Sequence, residues 1–218
     1  MQKIDIPEVT LSPTVLRAFS AARLDALKEV ANIGAGHAAT ALSLMTGARI
    51  MIDVPMVNVG RLSELAPDIA APNAPIVSVM MDMHGSLNGQ TLLALPVVTG
   101  RRLADLMLRR ERRSGADQFD RLEESALKEA GNILGGAYMT ALSDFLGMQL
   151  MPSPPRFRVA TTREILATCD AAVVDDVAVC CVETEFSFEE IGERFRGFFL
   201  LLPDRESFGA IFRAVRVS

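Results

Sequence analysis

Two stretches of this chain, about a hundred residues apart, carry nearly the same text, and that repetition limits the folds open to it. DALKEVANIGAGHAATALSLMTG begins at Asp25 and SALKEAGNILGGAYMTALSDFLG begins at Ser125. Aligned without a gap from 25–55 against 125–155, about 14 of 31 positions are identical. A duplicated core needs only its apolar positions kept. Here Glu29 matches Glu129 and Asn32 matches Asn132 as well.

The pattern around each copy is helical. Leu24, Leu27, Ala31, Ala38, Leu42 and Met45 step by three or four, which predicts a long helix that opens with Ser12 and Pro13 and is ended by Gly47. An extended segment over 49–54 follows, stopped by Pro55, and 56–75 reads as a proline-rich connection with a short helix near 62–65. Strands are expected over 76–83 and 91–95, turned at Asn88-Gly89 and closed by Pro96, then a helix over 100–109 capped by Thr99.

The second half repeats this order: a helix over 117–145 ended by Gly147, an extended segment to Ser153, a small helix over 162–168, strands over 176–186 and 195–202, and a last helix over 205–214. We therefore expect an α+β fold, internally duplicated and pseudo-twofold symmetric, with a mainly antiparallel sheet flanked by long helices. Repeats of about 14–110 and 115–215 would share one sheet in a single domain spanning 1–218, because neither has enough helix to cover a sheet of its own.

Composition removes several classes of function. The net charge is −5 with no basic run, which disfavours nucleic acid. The cluster of 109–113 is short, broken by Glu111, and reads as a solvated helix end. Cys169, Cys180 and Cys181 make an odd count with an adjacent pair, a poor disulfide framework, so reduced cytoplasmic thiols are expected. The opening residues lack a secretory pattern, and the longest apolar run, FFLLLP, is far short of a membrane span.

Chemistry must then come from the repeated polar residues. Positions i, i+4 and i+7 fall on one helical face, so Asp25, Glu29 and Asn32 line up, as do Ser125, Glu129 and Asn132. A single Glu–Asn pair is commonplace surface, and Lys28 or Lys128 could simply balance its charge. Two pairs in the same register, where a core demands only apolar identity, favour a site. Glycines follow each Asn (Gly34 and Gly36; Gly135 and Gly136). Glycine in a helix costs about 1 kcal/mol against alanine, so a close approach is expected in return, from a sister helix or from a docking protein.

The rest of the inventory is thin. His37 and His84 are the only histidines, and His37 faces Ala137 in the alignment, so no nucleophile–His–acid set forms. No soft or imidazole ligand accompanies the acids, so no metal site is expected. The Gly34–Gly36 stretch mimics part of a dinucleotide fingerprint but lies mid-helix, not after a strand. An amide can still hold a water by donating and accepting hydrogen bonds, and phosphoryl transfer is mostly alignment.

The spacing Asp/Ser, three residues, Glu, two residues, Asn, then Pro some 22 residues on, resembles that of the CheC-type chemotaxis phosphatases, related to CheX and FliY. Asp25, Glu29, Asn32 and Pro55 fit it, and so do Ser125, Glu129, Asn132 and Pro155. The resemblance implies hydrolysis of the aspartyl phosphate of the response regulator CheY. Glu29 and Glu129 would pair with a lysine of the regulator, and Asn32 and Asn132 would orient the attacking water. Magnesium would sit on the regulator, leaving this chain without a cofactor of its own. Asp25 and Ser125 would support the helix end or the partner, and Pro55 and Pro155 would shape the chain. The receptor deamidase CheD is a further implied partner. Two alternatives stay open: an adaptor that mainly docks CheD, and a flagellar-switch component.

Overall fold

The computed structural model describes residues 21–53, 55–110, 118–169, 178–188 and 192–214. In chain order these form α1 (Ala21–Thr46), β1 (Ile50–Ile52), β2 (Met56–Arg61), α2 (Leu62–Ile69), β3 (Pro75–Gly85), β4 (Gly89–Pro96) and α3 (Val97–Met107). The same order returns as α4 (Arg121–Leu146), β5 (Leu150–Pro152), β6 (Arg156–Thr161), α5 (Thr162–Ala167), β7 (Ala178–Phe188), β8 (Glu193–Pro203) and α6 (Arg205–Ala214). The expected duplication therefore extends through every element.

One antiparallel sheet of eight strands joins the halves in the order β1-β7-β8-β4-β3-β5. β2 lies end to end with β1 along β7, and β6 lies end to end with β5 along β3. Each half thus lends its two short strands to the other half's hairpin, and β4 pairs with β8 at the centre. Pro55 and Pro155 stand at the two equivalent breaks, where a residue without an N–H leaves no ladder bond unmade.

The middle strands are buried on both faces, which is why β3, β4 and β8 read as apolar runs without alternation. Val77, Val79, Leu93, Leu95 and Phe199 face α1 and α4, packing on Leu27, Ala31, Ala38, Leu127, Ala130 and Leu134. Ile76, Met80, Leu92, Phe198 and Leu200 face the opposite layer, where Leu62 and Leu65 of α2 and Ile165 of α5 cover them.

Several boundaries differ from the sequence expectations. β2 occupies a segment read as a connection and β6 a segment assigned to no element, since an edge strand beside prolines carries little local signal. α2 runs a full 62–69 with Pro67 inside it. α3 begins at Val97 after Pro96, with no side-chain cap from Thr99. α4 begins at Arg121 rather than 117, because Asp120 accepts from the N–H groups of Leu122 and Glu123 while Glu123 accepts from the N–H of Asp120, a reciprocal capping box. Gly147 ends it in the left-handed region at φ 63°, as expected. The Ser12–Pro13 start and Asp176 lie outside the described residues.

The described arginines of the 109–113 cluster are not merely solvated. Arg109 Nε donates to the Thr46 carbonyl at the end of α1 at 3.1 Å. Arg110 pairs with Asp120 at 3.4 Å at the start of α4. The turn after α3 is thereby fastened to both long helices.

Candidate functional site

α1 and α4 lie side by side on one face of the sheet and run antiparallel. Gly34 meets Tyr138, Val30 clusters with Ala141 and Leu142, and Ala26 clusters with Leu146. Each step of four residues up one helix is four residues down the other. Gly34 makes the approach possible: a Cβ there would come within 2.6 Å of Tyr138 Cδ1 and 3.1 Å of its Cα. Gly131 does the same toward the sheet, where a Cβ would fall 2.8 Å from Val79 Cβ. The sister helix, one of the two partners expected for the glycines, accounts for Gly34; the sheet, which is not among them, accounts for Gly131 and for Gly135, the last lying against Met81.

With the buried stripe turned to the sheet, the opposite stripe faces outward. Asp25, Glu29 and Asn32 are all exposed on α1, and Ser125, Glu129 and Asn132 are all exposed on α4. The lysines do not neutralise the two key acids. Lys28 reaches Asp25 at 3.3 Å, and Lys128 reaches Glu124 at 2.6 Å. Among the described residues, no hydrogen bond or ion pair engages Glu29, Asn32, Glu129 or Asn132. Each copy therefore presents a carboxylate and an amide to solvent with their hydrogen-bonding capacity unspent.

The same outward stripe continues one and two turns further. Gly36 and Thr40 on α1 are matched by Gly136 and Thr140 on α4, and all are exposed except the half-buried Gly136. Thr40 Oγ1 donates to the Gly36 carbonyl at 2.9 Å. The spacing rule for Glu and Asn does not reach these residues; their signal is again polar or small identity on a face that packs against nothing.

Pro55 is buried and Pro155 half-buried at the breaks between their edge strands, away from the helical face that bears the Glu and Asn side chains. The structure brings Asp25 with Glu29 and Asn32, and Ser125 with Glu129 and Asn132, but the prolines belong to the sheet edge.

Other chemistry is weak. No group of three or more His, Cys, Asp or Glu among the described residues could hold a metal ion. The thiols are free and inert: burial pushes Cys169 up to about 11, and Cys180 and Cys181 up to about 12. His37 is exposed. A small cleft between α1, α4 and the sheet is lined by Leu27, Val30, Tyr138 and Phe199 and is almost entirely apolar. No helix among the described residues is long and apolar enough to cross a membrane.

The fold and its outward face define a class: an internally duplicated α+β protein that offers an acid and an amide twice, on paired helices. Residues 23–59 and 122–158 each match the model of the CheC-like family, so the same unit is found twice in the chain. The chain is 27% identical over 214 residues to the CheY-P phosphatase CheC of Bacillus subtilis, covering 94% of this chain and 99% of that protein. It is also 27% identical over 143 residues to the flagellar motor switch phosphatase FliY of Bacillus subtilis, covering 64% of this chain and 36% of that longer protein. Among solved structures, FliY of Thermotoga maritima superposes with a TM-score of 0.73 at 25% identity, over 90% of this chain and 96% of that one. The FliM middle domain from H. pylori shares the fold, with a TM-score of 0.65 at 14% identity over 89% and 99% of the two chains.

Proposed function

We propose that this protein hydrolyses the aspartyl phosphate of a response regulator, CheY, using either of two equivalent sites, Glu29 with Asn32 and Glu129 with Asn132. The observation that carries the reading is the doubled set of exposed side chains in matched register, each without a partner among the described residues. The CheC of Bacillus subtilis, named for this activity, aligns with nearly the whole chain.

The chemistry asks little of the protein beyond placement. A water oxygen attacks phosphorus, the bond from phosphorus to the aspartyl oxygen breaks, and carboxylate and inorganic phosphate leave. The water's proton passes to the phosphate or to solvent. An acyl phosphate has a good leaving group, so the barrier lies mainly in lining up the water opposite it. Asn32 or Asn132 can accept from that water through its carbonyl and donate to a phosphoryl oxygen through its NH₂. Glu29 or Glu129, a turn earlier on the same face, would bind a lysine ammonium of the regulator and fix the amide over the phosphate. Magnesium held by the regulator would neutralise the phosphoryl oxygens. This chain supplies position, and its partner supplies charge.

The test is the decay of phosphorylated CheY. The wild-type chain should accelerate it, and Asn32→Ala with Asn132→Ala should cut the acceleration by about a hundredfold with Tm unchanged, since neither amide bonds any described residue. Decay at the intrinsic rate with the wild-type chain present would refute the reading. The likeness to FliY favours a second reading, a flagellar-switch component. Co-purification with switch subunits, without any acceleration of decay, would support that instead.

A further inference from the structure

The two Glu–Asn pairs lie close together on one side of the molecule. On α1 the buried residues Leu27, Ala31, Ala38 and Leu42 face the sheet, and on α4 Leu127, Ala130 and Leu134 do. Both Glu–Asn faces therefore point the same way, outward from one side of the molecule. The antiparallel register that sets Gly34 against Tyr138 and Val30 beside Leu142 brings Gly36 level with Gly136, midway between the sites. At 1.5 Å per residue, the centre of each Glu–Asn pair lies about 8 Å along its helix from that midpoint. Adding an interaxial distance of about 9 Å puts the two centres about 18 Å apart.

A standard protein interface covers about 800 Å² on each partner, a disc of about 16 Å radius. Two such discs centred about 18 Å apart overlap across the glycine pair. The glycines fit a floor that must stay low. A Cβ added at Gly36 or at Gly136 would meet nothing within 4 Å. Neither glycine is needed for packing inside the protein, unlike Gly34 and Gly131, and both are poorer helix formers than alanine. The same choice at both copies, between both sites, is accounted for by close approach from outside.

We propose that Gly36 and Gly136 form a common floor for both sites, so that one phosphorylated receiver docks at a time, on either Glu–Asn pair. This rests on the phosphatase reading above and adds a rule of occupancy to it.

Two measurements on the full chain test it. The first titrates beryllofluoride-activated CheY by calorimetry and sedimentation: one receiver per chain is expected, and two per chain would overturn the shared floor while leaving the phosphatase reading intact. The second uses Asn32→Ala to silence the first site and adds Gly36→Gln, so that only the Asn132 site turns over. The bulk placed in the first repeat should raise the KM of the second repeat's site by about threefold or more, with kcat little moved and Tm no lower, because glutamine is a better helix former than glycine in open space. Gly36→Ala should show the same sign with a smaller rise in KM. An unchanged KM in both variants would overturn the proposal. Neither binding nor acceleration by the wild-type chain would overturn it together with the phosphatase reading.

Discussion

Glycines within one turn of each other in these helices have opposite energetics. Gly131 is pressed against Val79, a buried β-branched side chain with little rotamer freedom. Gly131→Ala should therefore destabilise the fold by about 1–3 kcal/mol through overpacking, lowering Tm by roughly 2–4 °C for each kcal/mol in a chain of this size. Thermal or urea unfolding measures it, and an unchanged Tm would mean that β3 gives way more readily than its packing indicates. Gly135 is a softer case, since its neighbour is the flexible end of Met81. The sequence shows that each helix pays for glycines and so must gain a close approach. It does not show which glycine meets which neighbour, because that depends on the register between two helices a hundred positions apart. The polar residues are more legible. Glu29, Asn32, Glu129 and Asn132 fall on the exposed face because helical periodicity alone separates them from Leu27, Ala31, Leu127 and Ala130.

At the scale of elements, legibility follows burial. β3, β4, β7 and β8 announce themselves through apolar runs, and α6 through its spacing. β2 and β6 are edge strands whose partners belong to the other repeat, and nothing local to them names those partners. One of these edges is held by charge. Asp82 on β3 accepts from Arg156 on β6 at 2.8 Å and from Gln90 at 3.1 Å. The hydrogen bond from Arg156 is the main reason that the Asp82 carboxyl is held down at about 2, against an opposing effect of burial. A carboxyl depressed in the folded state adds stability that is complete above its unfolded value near 4 and is lost as pH falls through about 2. A shift of this size is nominally worth about 2 kcal/mol. Arg156 is 53% exposed, and solvent screening leaves about 1 kcal/mol. Arg156→Met should therefore be less stable than wild type by about 1 kcal/mol at pH 5–7, with the gap closing toward pH 2. Denaturant unfolding across that range reads the gap, and a difference independent of pH would assign the loss to packing of the arginine stem.

At the scale of the molecule, the repetition announces two equivalent halves, and it is equally compatible with two sheets side by side. The exchange of β1 and β2 for β5 and β6 across the sheet is what makes the halves inseparable. The same pseudo-twofold relation bears on the proposed activity. It relates Glu29 and Asn32 to Glu129 and Asn132, all four exposed and without a partner among the described residues, so the proposal treats the two sites as equivalent. Their surroundings differ in charge at the first position of the motif: Asp25 is bridged by Lys28, whereas Ser125 in the second copy carries no charge. That difference lies a full turn before each Glu and is screened by solvent, so it should alter affinity for the receiver more than turnover. Asn32→Ala and Asn132→Ala, made separately, should then each leave about half of the wild-type kcat, because a chain that keeps both Glu side chains still docks a receiver on the silenced face about half the time. Single-turnover and steady-state decay of phosphorylated CheY distinguish the outcomes. Loss of nearly all turnover from one substitution and nearly none from the other would show that a single Asn does the work, and would leave the second face as a docking surface without chemistry.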